Sequence, residues 1–360
     1  MYHKSSPEYK KYWDNRDHYS VWENESFTSK LSEEIKLEEF CDKILSSGSQ
    51  VLCFDTHTPS VLISFELARI IKVKDKNRII VFMGHKASRA QMAYDFINNP
   101  NIDYVCAGEA DIALIDLLKL LEKTDNFKSL PECKGFLLKQ DGKVKDCGDP
   151  EITKDLDTLP IPDYKEFSED IKNGLYSQPN RLDILDSHGC VNACHFCYER
   201  LFWQKYRTMS GERIFEEISS HVKNFPQINY FYFNGLLLNG NLKALEEFCD
   251  LVIASKIKIT WAGQAMIRPD MTKSLLNKMA KAGCNWLGYG IESGSQKVLN
   301  SMNKKYPIKS AKKVLKDTHE AGICVQINMM FGTPGETKED FKKSLELIKK
   351  IRPYIGNILA

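Results

Sequence analysis

RLDILDSHGCVNACHFC (Arg181–Cys197) opens as a strand-like run around Leu182, Ile184 and Leu185 and closes with three cysteines, Cys190, Cys194 and Cys197, inside eight residues. Its reading decides the fold of the second half. If RLDILDS is a strand, the thiols stand on the loop leaving its carboxyl end, which is where barrels of alternating strands and helices gather their chemistry. Downstream, five more short β-prone runs follow: INYFYFN (228–234), IKITWAG (257–263), NWLGYGI (285–291), ICVQINMMF (323–331) and IGNILA (355–360). Between them lie stretches of helical period with one apolar face: Ile214, Phe215, Ile218 and Val222; then Leu242, Leu245, Phe248 and Val252; then Phe341, Leu345, Ile348 and Ile351. Gly283 and Gly322 follow helical patterns at the place where a left-handed residue closes a helix. Six strand and helix units of about thirty residues predict a partial (β/α) barrel, two units short of the usual eight.

Upstream, QVLCFD (50–55), NRIIVFM (77–83) and DYVC (103–106) alternate with the helical patterns SVLISFELARIIK and EADIALIDLLKLLEK, as in a parallel sheet. A helix is expected over 31–46, with Ile35, Leu37, Phe40, Cys41, Ile44 and Leu45 on one face. A hairpin is expected over 134–148, turning at Asp141-Gly142. The chain is therefore α/β throughout: an N-terminal parallel-sheet domain with an extension over 1–148, a linker over 149–180 that is rich in proline to residue 165, and a partial barrel over 181–360. The aromatics Tyr9, Tyr12, Trp13, Tyr19 and Trp22 are expected to pack on the barrel core, with packing on a partner as the alternative.

Composition narrows the function. The chain has 360 residues, 42% of them hydrophobic, and 50 basic against 48 acidic residues give a formal charge of +2. No field advertises a nucleic acid or an anionic membrane, so specificity must come from a site. No run of eighteen apolar residues and no signal-like start is present, and a cytoplasmic location is expected. Eleven cysteines without a framework point to reduced thiols, metal ligation or packing.

Soft thiolates select zinc, copper(I) or iron and sulfur. A closed zinc site needs four ligands, and His188 is the candidate fourth beside Cys190, Cys194 and Cys197. A four-iron cubane normally takes four cysteines, so three would leave one iron open to a substrate or cofactor. A non-catalytic zinc protein and a cluster enzyme are both consistent with the thiols alone.

CVNACHFC, with Phe196 before the last cysteine, resembles the CxxxCxxC loop of the radical S-adenosylmethionine (radical SAM) family. GYGIESGSQKVLNSMNKK (288–305) and MMFGTPGETKEDF (329–341) are similar to that family's fourth strand with its following loop and to its fifth-strand exit. The resemblance implies a 4Fe–4S cluster on the three cysteines and SAM chelated to the remaining iron. It also implies SAM-binding roles for Phe196, Asn234, Gly235, Arg268, Glu292, Ser293 and Gly332. Glu292, ending an apolar strand, is costly to bury unless bonded, and the resemblance pairs it with the SAM ribose or amino group. Arg268 would take the SAM carboxylate, with a surface ion pair as the alternative. In place of the family's Gly-Gly-Glu element after the second strand stands YFNGLLLNGN (232–241), which carries no acid; Asn234 could accept the amino group through its side-chain oxygen.

DYVCAGEADIALIDLL (103–118) followed by LDTLPIPDY (156–164) resembles the cobalamin-binding subgroup, in which a flavodoxin-like domain precedes the barrel. Three parallel strands where such a layer has five imply an incomplete domain. Asp55-Thr56-His57 resembles the cobalamin signature, with Ser60 in place of its glycine. The subgroup implies cobalamin as a further cofactor, methyl transfer to an unreactive carbon if it is bound, and rearrangement or oxidation if not. It also implies a one-electron donor such as a flavodoxin or ferredoxin. A methylthiotransferase-like radical SAM enzyme acting on transfer RNA is the alternative within enzymes. It would use Cys41, Cys53 and Cys106, for which packing is the better account. The catalytic residues and the substrate are not legible in the sequence.

Overall fold

The computed structural model describes residues 36–57, 60–89, 91–124, 130–165, 168 and 181–360. Tyr9, Tyr12, Trp13, Tyr19, Trp22 and Ile35 lie outside the described residues. The chain divides into two compact units at Thr153/Lys154.

In the first unit, α1 (Leu37–Ser46), β1 (Val51–Asp55), α2 (Val61–Lys74), β2 (Ile79–Met83), α3 (Ala93–Asn98), β3 (Tyr104–Cys106) and α4 (Ala113–Glu122) precede the hairpin β4 (Phe136–Gln140) and β5 (Lys143–Asp146). The sheet order is β1-β2-β3-β4-β5; β1 to β3 are parallel and the hairpin adds antiparallel strands at the edge. The layer is therefore mixed, because the chain after α4 returns through a hairpin whose turn residues Asp141 (φ 51°) and Gly142 (φ 73°) suit a tight reversal. Strand period divides its core. Ile80, Phe82, Val105 and Leu137 face α1, α2 and α3, while Ile79, Val81, Tyr104, Cys106, Phe136 and Leu138 face α4.

In the second unit come β6 (Leu182–Ile184), β7 (Ser187–His188), α5 (Glu199–Phe202), β8 (Arg207–Thr208), α6 (Gly211–Asn224), β9 (Tyr230–Phe233) and α7 (Leu242–Ser255). They are followed by β10 (Thr260–Ala265), α8 (Lys273–Lys281), β11 (Cys284–Glu292), α9 (Gln296–Ser301), α10 (Lys309–Glu320), β12 (Cys324–Met329), α11 (Lys338–Ile351) and β13 (Asn357–Leu359). All six expected strands form and lie in chain order, β6-β9-β10-β11-β12-β13, with every neighbouring pair parallel. That is the connectivity of a partial (β/α) barrel. Side-chain caps begin four helices: Ser210 on α6, Asn241 on α7, Thr272 on α8, and Thr337 on α11, where a capping box with Asp340 closes. Gly283 (φ 98°) and Gly322 (φ 84°) leave helices in the left-handed region, as expected.

Two expectations are corrected. Residues 154–164 of the expected linker are part of the second unit: Leu156 is buried in its core, Asp157 accepts the Ser210 N–H at 2.8 Å, and Leu159 O accepts from Arg213 at 3.0 Å. On α11, Phe341 and Leu345 are each 40% exposed, while Asp340 and Ser344 turn inward beside Ile351. Polar residues face in because a serine-rich turn meets them there: Ser295 Oγ donates to Asp340 Oδ1 at 2.7 Å and Gly294 N–H to Ser344 Oγ at 2.9 Å. The Ser295 and Thr337 hydroxyls, with Lys297, hold the Asp340 carboxyl well below the usual range. Among the described residues, no helix is long and apolar enough to cross a membrane.

Candidate functional site

β6 delivers the chain to the carboxyl edge of the parallel sheet, and the small β7–β8 ladder, Ser187↔Thr208 and His188↔Arg207, fixes its exit. Gly189 (φ 78°) turns the chain into the thiol loop; a Cβ there would meet Lys205 O at 2.9 Å. The loop is then docked on the segment that ends α9. His195 N–H donates to Met302 O at 3.0 Å, and Asn303 Nδ2 donates to Ala193 O at 2.8 Å. His195 Nδ1 lies 2.8 Å from Ser301 O; a carbonyl only accepts, so this nitrogen carries the proton and the ring is committed.

Cys194 is buried, and Cys190 and Cys197 are half-buried. Burial raises the Cys190 and Cys194 thiols, and Cys197 raises both further, so the three share one neighbourhood. Zn–S bonds of about 2.3 Å in a tetrahedron bring sulfurs to about 3.8 Å of one another. Among the described residues, no set of three ligand atoms within 4.8 Å of one another includes these sulfurs. Three soft donors suit an iron–sulfur core with thiolates at separate corners. His188, the candidate fourth zinc ligand, packs its ring against Trp203 at 4.5 Å.

Glu292 ends β11 with φ 68°, a left-handed conformation unusual for a side chain of its size, and is 7% exposed. Lys304 resolves its charge: Nζ donates to Glu292 Oε1 at 2.9 Å and to Gly290 O at 3.0 Å, and sits 5.8 Å from the centre of the Phe196 ring. Lys304 also lowers, and Glu292 raises, the Cys194 thiol, which brings this pair to the thiol loop. Lys304 was not singled out from the sequence; its place in NKK after a helix reads as surface charge. The next residues belong to the protein. Ser293 Oγ meets Ser344 Oγ at 3.2 Å and accepts the Ser295 N–H at 3.1 Å. A Cβ on Gly294 would overlap Lys343 O and come within 2.6 Å of Ser344 Cα. Gly294→Ala is expected to lower unfolding stability by about 2–3 kcal/mol, read from denaturant midpoints at unchanged slope.

At the exit of β9, Asn234 is exposed and its N–H donates to Ile184 O at 2.8 Å. Gly235 N–H donates to Asp186 Oδ1 at 3.2 Å, and a Cβ at 235 would overlap both Asp186 Oδ1 and Ser187 Oγ. Asp186, also missed in the sequence reading, is 3% exposed, and burial pushes its carboxyl up to about 6 despite the bond from the Gly235 N–H. Arg268 is engaged by the protein: Nη2 reaches Asp270 Oδ2 at 2.6 Å, Nε reaches Oδ1 at 2.9 Å, and Nη1 bonds Asn239 O and Gly240 O at 2.8 and 2.9 Å. It borders a cleft of about 370 Å³ that also touches Val191 of the thiol loop, Met266 and Tyr306. Gly332 (φ 74°) lies in the turn after β12, where its N–H donates to Glu336 Oε2 at 2.7 Å; the turn itself requires the glycine.

In the first unit the carboxyl ends of β1 and β2 are joined: Thr56 N–H and Oγ1 both donate to Met83 O, at 2.7 and 2.6 Å. His57 Nε2 lies 3.2 Å from Asp55 Oδ2, and its ring centre is 5.6 Å from that of His85. Ser60 Oγ accepts the His57 N–H at 2.9 Å, which accounts for serine there. Cys41 and Cys106 are buried on α1 and β3, and no three-ligand set that includes Cys41, Cys53 and Cys106 occurs among the described residues.

A parallel sheet of sequential strands with three cysteines on its first exit loop defines a partial (β/α) barrel that carries soft donors at its carboxyl edge. Residues 184–348 match the model of the Radical SAM superfamily. The anaerobic magnesium-protoporphyrin IX monomethyl ester cyclase of Cereibacter sphaeroides is 24% identical over 338 residues, covering 92% of this chain and 54% of that protein. An uncharacterized methyltransferase of Pyrococcus horikoshii is 23% identical over 322 residues, covering 89% of this chain and 68% of that protein. Among solved structures, the cobalamin-dependent S-adenosylmethionine radical enzyme OxsB, with aqua-cobalamin and S-adenosylmethionine bound, superposes with a TM-score of 0.73 at 20% identity. The match covers 90% of this chain and 46% of that one, and shows the fold. The chain thus spans about half the length of the cyclase and of OxsB.

Proposed function

We propose that this chain is a cobalamin-linked radical SAM enzyme, in the cytoplasm, that takes electrons from a flavodoxin or ferredoxin and transfers a methyl group to an unreactive carbon of its substrate. The observation that carries the reading is the thiol loop: three half-buried or buried soft donors sharing one neighbourhood at the carboxyl edge of the first barrel strand. When bound, a 4Fe–4S cluster and SAM supply one-electron cleavage of the sulfonium, and cobalamin supplies a carrier for the methyl group.

This chain's own residues do the holding. Cys190, Cys194 and Cys197 ligate three corners of the cluster. Phe196 and the Lys304 ammonium over its ring cover one side of it. Glu292 and Ser293 shape the wall where SAM would lie, Gly235 and Asn234 line the second-strand exit, and the turn at Gly332 completes the edge. Arg268 is available to the SAM carboxylate only by sharing its bond with exposed Asp270, the rim ion pair being the easiest of its contacts to exchange. In the first unit, the exits of β1 and β2, with His57 and His85, form the edge where a parallel layer receives a cofactor.

Anaerobic reconstitution with iron, sulfide, reductant and SAM is expected to give the broad visible absorbance of thiolate-bound iron and 5′-deoxyadenosine or S-adenosylhomocysteine, the latter dependent on added cobalamin. Stoichiometric zinc with neither iron nor sulfide would overturn it.

A further inference from the structure

The cofactor reading leaves one contact without an owner. Where the resembling family places an acid after the second strand, this chain runs Tyr230–Phe233 and then Asn234, Gly235 and three leucines. A carboxylate is nevertheless delivered to that exit from the neighbouring strand. β6 pairs with β9 in register, Ile184 beside Phe233, so Asp186 leaves the sheet alongside Gly235. Its Oδ1 accepts the Gly235 N–H and, with Ser187 Oγ, fills the place a side chain at 235 would need. Only glycine at 235 admits that carboxylate. The lost acid of one strand and the missing side chain beside it are one arrangement.

Among the described residues, Asp186 also lacks a bonded counter-charge. Its carboxylate accepts one bond, from the neutral Gly235 N–H, while the buried Ser187 Oγ beside it has no hydrogen-bond partner. A buried carboxylate without a cation is costly and favours a ligand that brings one. It stands four residues before Cys190, within about 14 Å along even a fully extended chain. Tyr206, whose ring packs on Gly240, feels the charges of Asp186, Cys190 and Arg268 together, so these groups converge on one neighbourhood.

We infer that Asp186 is the receptor for the α-amino group of SAM in this chain, replacing an acid after the second strand with one from the first. The inference rests on the proposed radical SAM function. Its chemistry is a charge-assisted hydrogen bond from a primary amine to a buried carboxylate.

The test is equilibrium binding of SAM, and of the sulfonium analogue lacking the α-amino group, to anaerobically reconstituted full-length protein with its absorbance checked. Asp186→Asn is expected to weaken SAM about 30-fold while leaving the analogue within about twofold, so that the preference for the amine shrinks. Restoring an acid at the usual place, Asn234→Asp on the Asp186→Asn background, should recover part of that preference. If Asp186→Asn fails to assemble the cluster, Asp186→Glu serves, with the same selective loss expected. Equal weakening of both ligands, or an unchanged ratio, would make Asp186 a brace for Gly235 and overturn the inference alone. A wild-type protein that assembles its cluster and binds no SAM would overturn the functional reading, and this inference with it.

Discussion

Cys194→Ala is expected to lower iron and sulfide in anaerobically reconstituted protein from about four of each per chain to well below one. Any SAM cleavage should fall by more than about a hundredfold, to the blank, because the electron source itself is lost. The reason lies in where this thiol stands. Cys194 is the buried member of the three, at the middle of a loop held by its neighbours Ala193 and His195, so alanine removes a ligand without freeing the backbone to recruit another. Cys190→Ala and Cys197→Ala, at the half-buried corners, should behave alike in metal content. Retention of full iron in any of the three variants would mean that the loop is not the cluster's anchor. Elemental analysis and sulfide assay read this directly, and circular dichroism checks that the apo fold persists.

Lys304→Met should lower unfolding stability by about 3–5 kcal/mol, the range for stripping a partner from a buried ion pair. Both side chains of the Lys304–Glu292 pair are 10% exposed, and Gly290 has no side chain because a Cβ there would stand 2.6 Å from Glu292 Oε1. The strand thus makes room for the pair, and removing the ammonium leaves a carboxylate in a site shaped for a charge. Adding Glu292→Gln to Lys304→Met should return much of the loss, since the uncompensated charge is then gone. Chemical denaturation of the four proteins gives the cycle. If Lys304→Met costs less than about 1 kcal/mol, water reaches Glu292 and the pair does not organise the end of β11.

Much of the architecture was legible because it is written in local period. Six apolar runs of strand length, separated by helices with one greasy face, forced sequential parallel strands, and CVNACHFC stood out by spacing alone. What escaped was written across distance. Asp186 reads as an ordinary polar residue at a strand end until β6 and β9 are paired, whereupon Gly235 explains it and it explains Gly235. Lys304 in NKK carries no periodic signal, and only the reversal after α9 carries it under Glu292 and over Phe196. The face of α11 was misread for the same reason. Hydrophobicity nominated Phe341 and Leu345, but the partners waiting inside, Ser293 to Ser295, were polar and reached only through the fold. In the first unit the parallel strands were evident, whereas the hairpin's membership of the same sheet depended on β3 pairing with β4.

The thiol loop borrows its shape from a stretch made much later on the ribosome. Its anchors, Ser301 O and Asn303 Nδ2, follow the residues they hold by 106 and 110 positions. A nascent chain that has exposed its three cysteines therefore has no rigid seat for them until more than a hundred further residues have emerged. At synthesis rates of about 5–20 residues per second, that leaves the thiols unsupported for about 5–20 seconds. The docked shape of the thiol loop is therefore reached only once that later segment has been made.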